Sequence, residues 1–101
     1  MMTMNDELSR LANLFKLLVD PAGLRVVTSY LDVPISVREI AESNALSASL
    51  VSRHLRLLRN ARIVMAKREG RQIFYSAADR HLSGMIKGVL DHIAGPSMEI
   101  E

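Results

Sequence analysis

The chain has no cysteine and no tryptophan, and it has only two tyrosines and two phenylalanines. Without a thiol it can form no disulfide, no thiolate metal site and no cysteine nucleophile. No apolar run approaches the roughly 20 residues that a membrane-spanning helix needs. The first seven residues are polar and acidic, which is not the pattern of a secretory signal. We therefore expect the protein to work in the cytoplasm.

The composition is that of an ordinary globular protein. Apolar residues make up 49% of the 101 residues and charged residues 24%. A chain of this length forms one compact domain, so we expect residues 1–101 to be a single unit. It contains no glycine-rich phosphate loop and no motif that pairs two carboxylates, so we expect no enzymatic activity.

The basic residues are concentrated in one segment. Residues 53–71 contain seven basic residues and one acidic residue, whereas the whole chain has a net charge of only +2. A basic segment on a mildly acidic body is a candidate surface for binding phosphates. A solvated helix face would show the same pattern, so the charge alone does not decide between the two.

Apolar residues recur at steps of three and four in five segments, which predicts five helices. The first covers about residues 5–18, with Asn5 as its predicted N-cap. The second opens at Asp20 and Pro21 and ends before residues 32–34. A capping box from Ser36 to Glu39 opens the third. The fourth runs from Ser47 to about residue 60, and the last from about residue 80 to 94.

The third and fourth helices are separated by three residues, 44–46, with Asn44 the expected left-handed residue. Between the fourth and last helices the period changes to two, which predicts strands over residues 63–68 and 72–77 with Gly70 in the turn. The predicted fold is therefore mainly α with a small β-hairpin. It is a winged helix-turn-helix of about five helices plus a two-stranded wing.

The fourth helix has the features of a recognition helix. Its outward side carries serines and arginines, which can donate to and accept from base edges in the major groove. Its N-terminus and the basic hairpin suit phosphates. The expected DNA contacts are Ser47, Ser49, Ser52, Arg53, His54, Arg56, Lys67, Arg68, Arg71 and Gln72. A winged helix that docks on another protein is the alternative interpretation.

Three segments resemble the ArsR/SmtB family of bacterial metal-sensing and related repressors. They are residues 20–26, which look like the opening of the family's second helix, residues 46–55, which look like its recognition helix, and residues 68–75, which look like its wing. The resemblance covers nearly the whole chain. It implies a homodimer that binds an inverted repeat in double-stranded DNA and usually represses transcription.

The chain departs from the family pattern at several positions. Ala48 and Leu50 stand where the family often has Gln and Thr, and Arg62 stands where a Gly is common. The family's thiolate ligands match Ser36 and Arg38, which excludes sensing through thiolates.

The first and last helices each carry an apolar stripe. A chain this small can hardly bury both stripes, so we expect residues 5–18 and 80–94 to form a two-fold dimer interface. Such a dimer would place two recognition helices about 34 Å apart, one turn of DNA.

The resemblance also implies a metal site on the last helix, for zinc, nickel or cobalt. Asp79, His81 and His92 match three of its four ligands, and Gly95 stands at the fourth position. His81 and His92 would lie about 16 Å apart along one helix at roughly 1.5 Å per residue. One ion would thus need residues from both protomers, or Glu99 as a substitute ligand. Asp79 is equally a natural N-cap, so a regulator that has lost metal sensing is the alternative.

Overall fold

The computed structural model describes residues 1–95. They form five helices and three short strands in the order α1 (Met4–Val19), α2 (Pro21–Tyr30), β1 (Ile35–Ser36), α3 (Val37–Asn44), α4 (Ala48–Asn60), β2 (Val64–Glu69), β3 (Gln72–Ala77) and α5 (Arg80–Ala94). Helices α3 and α4 form the helix-turn-helix, and strands β2 and β3 form the wing. The predicted winged helix-turn-helix is confirmed.

A third strand joins the two-stranded wing. Strand β1 pairs antiparallel with β3, so the sheet order is β1-β3-β2, and Ser36 lies opposite Phe74. Ser36 is also the N-cap of α3, because its hydroxyl accepts a hydrogen bond from the backbone N–H of Glu39 at 3.2 Å. The same hydroxyl donates to the Glu39 carboxylate at 3.1 Å. The wing is therefore attached at its base to the first helix of the helix-turn-helix.

Most predicted helix ends are correct, since the caps are local. Asp20 caps α2 through the N–H groups of Ala22 and Gly23, and Ser47 caps α4 through the N–H of Leu50. The N-cap of α1 is Thr3 and not Asn5, because Thr3 and Asp6 form a complete capping box two residues earlier.

The left-handed residue after α3 is Ala45, with φ 54°, and not Asn44. The Asn44 side chain instead donates to the Ser29 hydroxyl at 2.9 Å and to the Ile40 carbonyl at 2.8 Å. These two bonds hold Asn44 in the last turn of α3, so the chain reverses one residue later.

The core lies between α2, the helix-turn-helix and the base of the wing. Its largest fully buried side chains come from α2, α3 and α4: Val26, Val27, Tyr30, Ile40, Val51, Leu55 and Leu58. The Tyr30 hydroxyl donates to the Ile63 carbonyl at 2.9 Å, which ties α2 to the segment entering β2. Helix α4 is thus fixed from below, and its other side is left to solvent.

Helices α1 and α5 bury little of their apolar surface. Leu18 is the buried residue of α1, and Leu82 and Ile86 are those of α5. Their remaining apolar side chains are exposed by between 39% and 72%: Leu8, Leu11, Phe15, Met85, Val89, Leu90 and Ile93. We call these seven residues the α1/α5 apolar face. Within residues 1–95, no helix is both long and apolar enough to cross a bilayer.

Candidate nucleic-acid interface

Helix α4 has two chemically distinct sides. Val51, Leu55 and Leu58 face the core and are at most 2% exposed. The opposite side presents exposed polar and basic side chains at helical spacing: Ser49, Ser52, Arg53 and Arg56. Because the core clamps the apolar side, the orientation of the polar side is fixed relative to the rest of the domain.

His54 does not share the exposed side of α4. Its side chain is 9% exposed and faces α2, where its Nδ1 would lie 3.5 Å from a Cβ built on Gly23. The absence of a side chain at Gly23 makes room for the imidazole. His54 was expected among the DNA contacts, and its burial removes it from that surface.

The wing places basic groups beside α4. Lys67, Arg68, Arg71 and Gln72 are all exposed around the turn, where Gly70 has φ +64°. Successive residues of a strand point to opposite faces, so Lys67 and Arg68 lie on the two sides of the ribbon. Lys67 also contacts Glu69 at 3.8 Å between Nζ and Oε1. A groove that receives the edge of the ribbon could contact both cations.

Ser47 has a capping role that leaves it accessible. Its hydroxyl accepts from the Leu50 N–H at 3.1 Å, and the residue itself is exposed at the N-terminus of α4. The free N–H groups of this first helical turn and the partial positive charge there favour an anion. A phosphate oxygen is the ligand that this geometry suits.

The proposed metal ligands do not form a metal site within one chain. The Asp79 carboxylate caps α5 through the Leu82 N–H at 3.0 Å and lies 3.9 Å from His81 Nδ1. His92 lies in the last turn of α5, three turns away. Across residues 1–95, no three His, Cys, Asp or Glu side chains are grouped to hold an ion. Gly95 supplies no side chain, and Glu99 lies outside the described residues.

The positions that match the family's thiolate ligands are occupied by structural residues. Ser36 is buried and caps α3. Arg38 pairs with Glu42 one turn later on the same helix, at 3.0 Å between Nε and Oε1. Neither residue offers the soft donor that a thiolate-type metal site requires.

Arg62 has a backbone conformation that the sequence analysis did not foresee. It has φ 63°, in the left-handed region, where the chain leaves α4. A glycine adopts this conformation without steric cost, which is the residue common at the matching family position. The resemblance therefore contained the signal, and the structure gives its physical meaning.

The fold and the exposed face of α4 define the class: this is a winged helix-turn-helix protein. The sequence profile described as "Bacterial regulatory protein, arsR family" matches residues 20–66. A transcriptional repressor SmtB homolog of Synechocystis is 35% identical over 88 residues, which are 87% of this chain and 67% of the relative. The regulator CmtR of Mycobacterium tuberculosis is 39% identical over 83 residues, or 82% of this chain and 70% of CmtR. The chain belongs to the ArsR family of bacterial transcriptional regulators.

Solved structures agree with this assignment. Reduced HlyU from Vibrio cholerae superposes with a TM-score of 0.79 at 26% identity, covering 92% of this chain and 97% of HlyU. The solution structure of apo-NmtR gives a TM-score of 0.77 at 27% identity, covering 100% and 85%. The cadmium metal-sensor CMTR from Mycobacterium tuberculosis gives 0.70 at 31% identity, covering 89% and 94%.

Proposed function

We propose that the protein is a homodimeric transcriptional repressor that binds an inverted repeat in double-stranded DNA. The observation that carries this proposal is the exposed serine and arginine side of α4 beside a basic wing. A duplex offers base edges in the major groove and phosphates on both sides of it, and this surface matches both. A regulator of this kind works in the bacterial cytoplasm, beside the chromosome.

Each side chain of the surface has a distinct role in this proposal. Ser49, Ser52 and Arg53 read base edges, and Arg53 can pair bidentately with a guanine. The N-terminus of α4 at Ser47 binds a phosphate. The remaining contacts are cations or amides that reach the sugar-phosphate backbone or the minor groove: Arg56, Lys67, Arg68, Arg71 and Gln72.

The dimer in this proposal is formed by the α1/α5 apolar face. A groove of about 530 Å³ runs between the two helices and is lined by Phe15, Met85, Val89 and other apolar side chains. A monomer would leave these side chains in water, and exposed contiguous apolar patches mark association surfaces. Two-fold pairing through α1 and α5 would cover them and leave both α4 helices free.

Binding of DNA is tested by its salt dependence with single-site variants. Each neutralised phosphate contributes about −0.9 to the slope of log affinity against log salt concentration. Arg71→Ala should reduce that slope by about 2 in a dimer, similarly for every sequence. Arg53→Ala should instead reduce the discrimination between operator and random DNA by about tenfold or more.

Arg80→Ala removes the same charge at an exposed position outside the proposed surface, so it serves as the matched control. Operator affinity, discrimination and salt slope that are the same in all three variants would refute the DNA surface. A protein partner that co-purifies without DNA binding at moderate salt would favour the protein-docking alternative.

The dimer is tested by charge insertion into the groove. Phe15→Glu should shift the protein to monomer in analytical ultracentrifugation, because a carboxylate cannot be buried there without a partner. Val33→Glu is the control, since Val33 is 61% exposed and lies outside the groove. A dimer that persists in Phe15→Glu would place the interface elsewhere.

Release of the repressor by a metal ion or another small effector is part of the proposal. Asp79 and His81 of one protomer could meet His92 of the other if two α5 helices pair antiparallel. Calorimetry with zinc, nickel and cobalt should then show a site that His92→Ala removes. Equal weak binding to both proteins would leave a DNA-binding regulator without metal sensing at α5.

A further inference from the structure

A second cavity opens beside the recognition helix, away from the α1/α5 apolar face. It lies between the C-terminal half of α1 and the side of α4 that adjoins Arg53, and its volume is about 370 Å³. Small-molecule sites in proteins usually measure about 300–1,000 Å³. The cavity is therefore large enough for a small organic molecule.

The imidazole of His54 forms part of the cavity wall. The residue is only 9% exposed, and the structure records no hydrogen bond from its ring to any of residues 1–95. Among the described residues, no buried side-chain nitrogen or oxygen without a partner is sealed from solvent. The ring nitrogens of His54 must therefore open onto the cavity. A nearly buried polar group in this position is satisfied by water or by a ligand.

The cavity is electrically positive. Lys16 and Arg53 line it from opposite helices, and neither forms an ion pair with residues 1–95. Asp20 is the one acidic residue in the wall. Its carboxylate already accepts hydrogen bonds from the N–H groups of Ala22 at 2.9 Å and Gly23 at 3.4 Å. The two cations are thus available to an anion, whereas the carboxylate is engaged.

The rest of the wall is mainly aliphatic. Leu17 of α1 and Leu50 and Leu57 of α4 supply it. Apolar walls with a few convergent polar groups are typical of sites for organic ligands. The matching ligand has one carboxylate for Lys16, Arg53 and the imidazole, and a compact apolar body for the leucines.

We propose that this cavity binds a small apolar carboxylate and that such a ligand weakens DNA binding. The coupling rests on the function proposed above, because Arg53 belongs both to the cavity wall and to the DNA-facing side of α4. An Arg53 guanidinium held by a ligand carboxylate is withdrawn from the guanine contact. The ligand and the operator would therefore compete for one side chain in each protomer.

Benzoate is a suitable probe, and benzyl alcohol is its neutral counterpart. Titration of benzoate into the full chain should shift the ring ¹⁵N resonances of His54 and give a saturable isotherm. Lys16→Gln should weaken benzoate binding by about tenfold, as expected for loss of a charge-assisted hydrogen bond. Lys16 is exposed, so this substitution leaves folding intact. Lys87→Gln makes the same change outside the cavity and should leave the affinity unaltered.

The coupling is measured on a duplex that the wild-type protein selects from random DNA. Saturating benzoate at constant ionic strength should lower wild-type affinity for it by about tenfold, as expected for one lost base contact. Lys16→Gln should bind this duplex as the wild type does and should not respond to benzoate at the same concentration.

Failure to saturate, or equal benzoate affinity in Lys16→Gln and Lys87→Gln, would overturn the assigned site. Site-specific benzoate binding with unchanged DNA affinity would overturn the coupling. The absence of any DNA binding, with benzoate binding intact, would instead refute the proposed function and leave the cavity assignment standing.

Discussion

Tyr30→Phe is the substitution that most directly tests how the core is held together. Tyr30 is fully buried, and its hydroxyl donates to the Ile63 carbonyl at 2.9 Å across 33 residues of sequence. Phenylalanine keeps the packing of the ring but leaves a buried carbonyl without this donor. Loss of one partner in a buried hydrogen bond costs about 1–3 kcal/mol of unfolding free energy. The expected fall in Tm is about 4–8 °C for each kcal/mol in a domain of this size.

The same residue predicts an alkaline loss of stability. Burial raises the pKa of Tyr30 well above its ordinary value of 10.0. The folded state then keeps the phenol proton at pH values where the unfolded chain has released it. The stabilisation is complete below pH 10 and falls as the pH rises further, by about 1 kcal/mol per pH unit. Tyr30→Phe removes the titrating group, so this part of the pH dependence should vanish.

The assay is urea denaturation followed by circular dichroism at pH 7, 10 and 11. Protein concentration is held fixed, because the stability of a dimer depends on it. Tyr75→Phe is the control, since it makes the same chemical change at a side chain that is only partly buried. Equal stability of Tyr30→Phe and wild type at pH 7, together with an unchanged alkaline slope, would refute the reasoning.

Three further substitutions test local geometry. Gly23→Ala should destabilise the protein by about 1–3 kcal/mol in urea denaturation, because its Cβ would lie 2.7 Å from the Leu17 carbonyl oxygen of α1. Arg62→Gly should stabilise it by about 0.5–1 kcal/mol in the same assay, since it relieves the left-handed conformation. Hydrogen bonds from the backbone and hydroxyl of Thr3 lower the pKa of Asp6 below 3.8, so this cap is intact above that pH and is lost as the pH falls through the lowered pKa. Amide exchange in the first turn of α1 should therefore accelerate on acidification in the wild type but not in Asp6→Asn.

The sequence predicted the helix-turn-helix and the wing well because their signals are local. Ser47 opens α4, Gly70 turns the hairpin and Asp79 caps α5, and each acts on residues within four positions of itself. Periodicity then assigned Leu55 and Leu58 to the core. These features need no knowledge of distant parts of the chain.

The features that the sequence did not predict depend on distant partners. Asn44 is held in α3 by Ser29 of α2, so the left-handed turn falls on Ala45. The burial of His54 depends on the absence of a side chain at Gly23, 31 residues earlier. The cavity beside Lys16 exists only because α1 crosses α4 at that point. Contacts of this kind leave no period in the sequence.

The double role of Ser36 restricts how a signal can travel through the protein. One residue joins the wing sheet and starts α3, so the β-ribbon and the helix-turn-helix move as a single rigid body. Independent flexing of the ribbon would break both the strand pairing and the helix cap at that serine. Large-scale switching must therefore come from a change in the angle between whole subunits, with each reading head carried along intact.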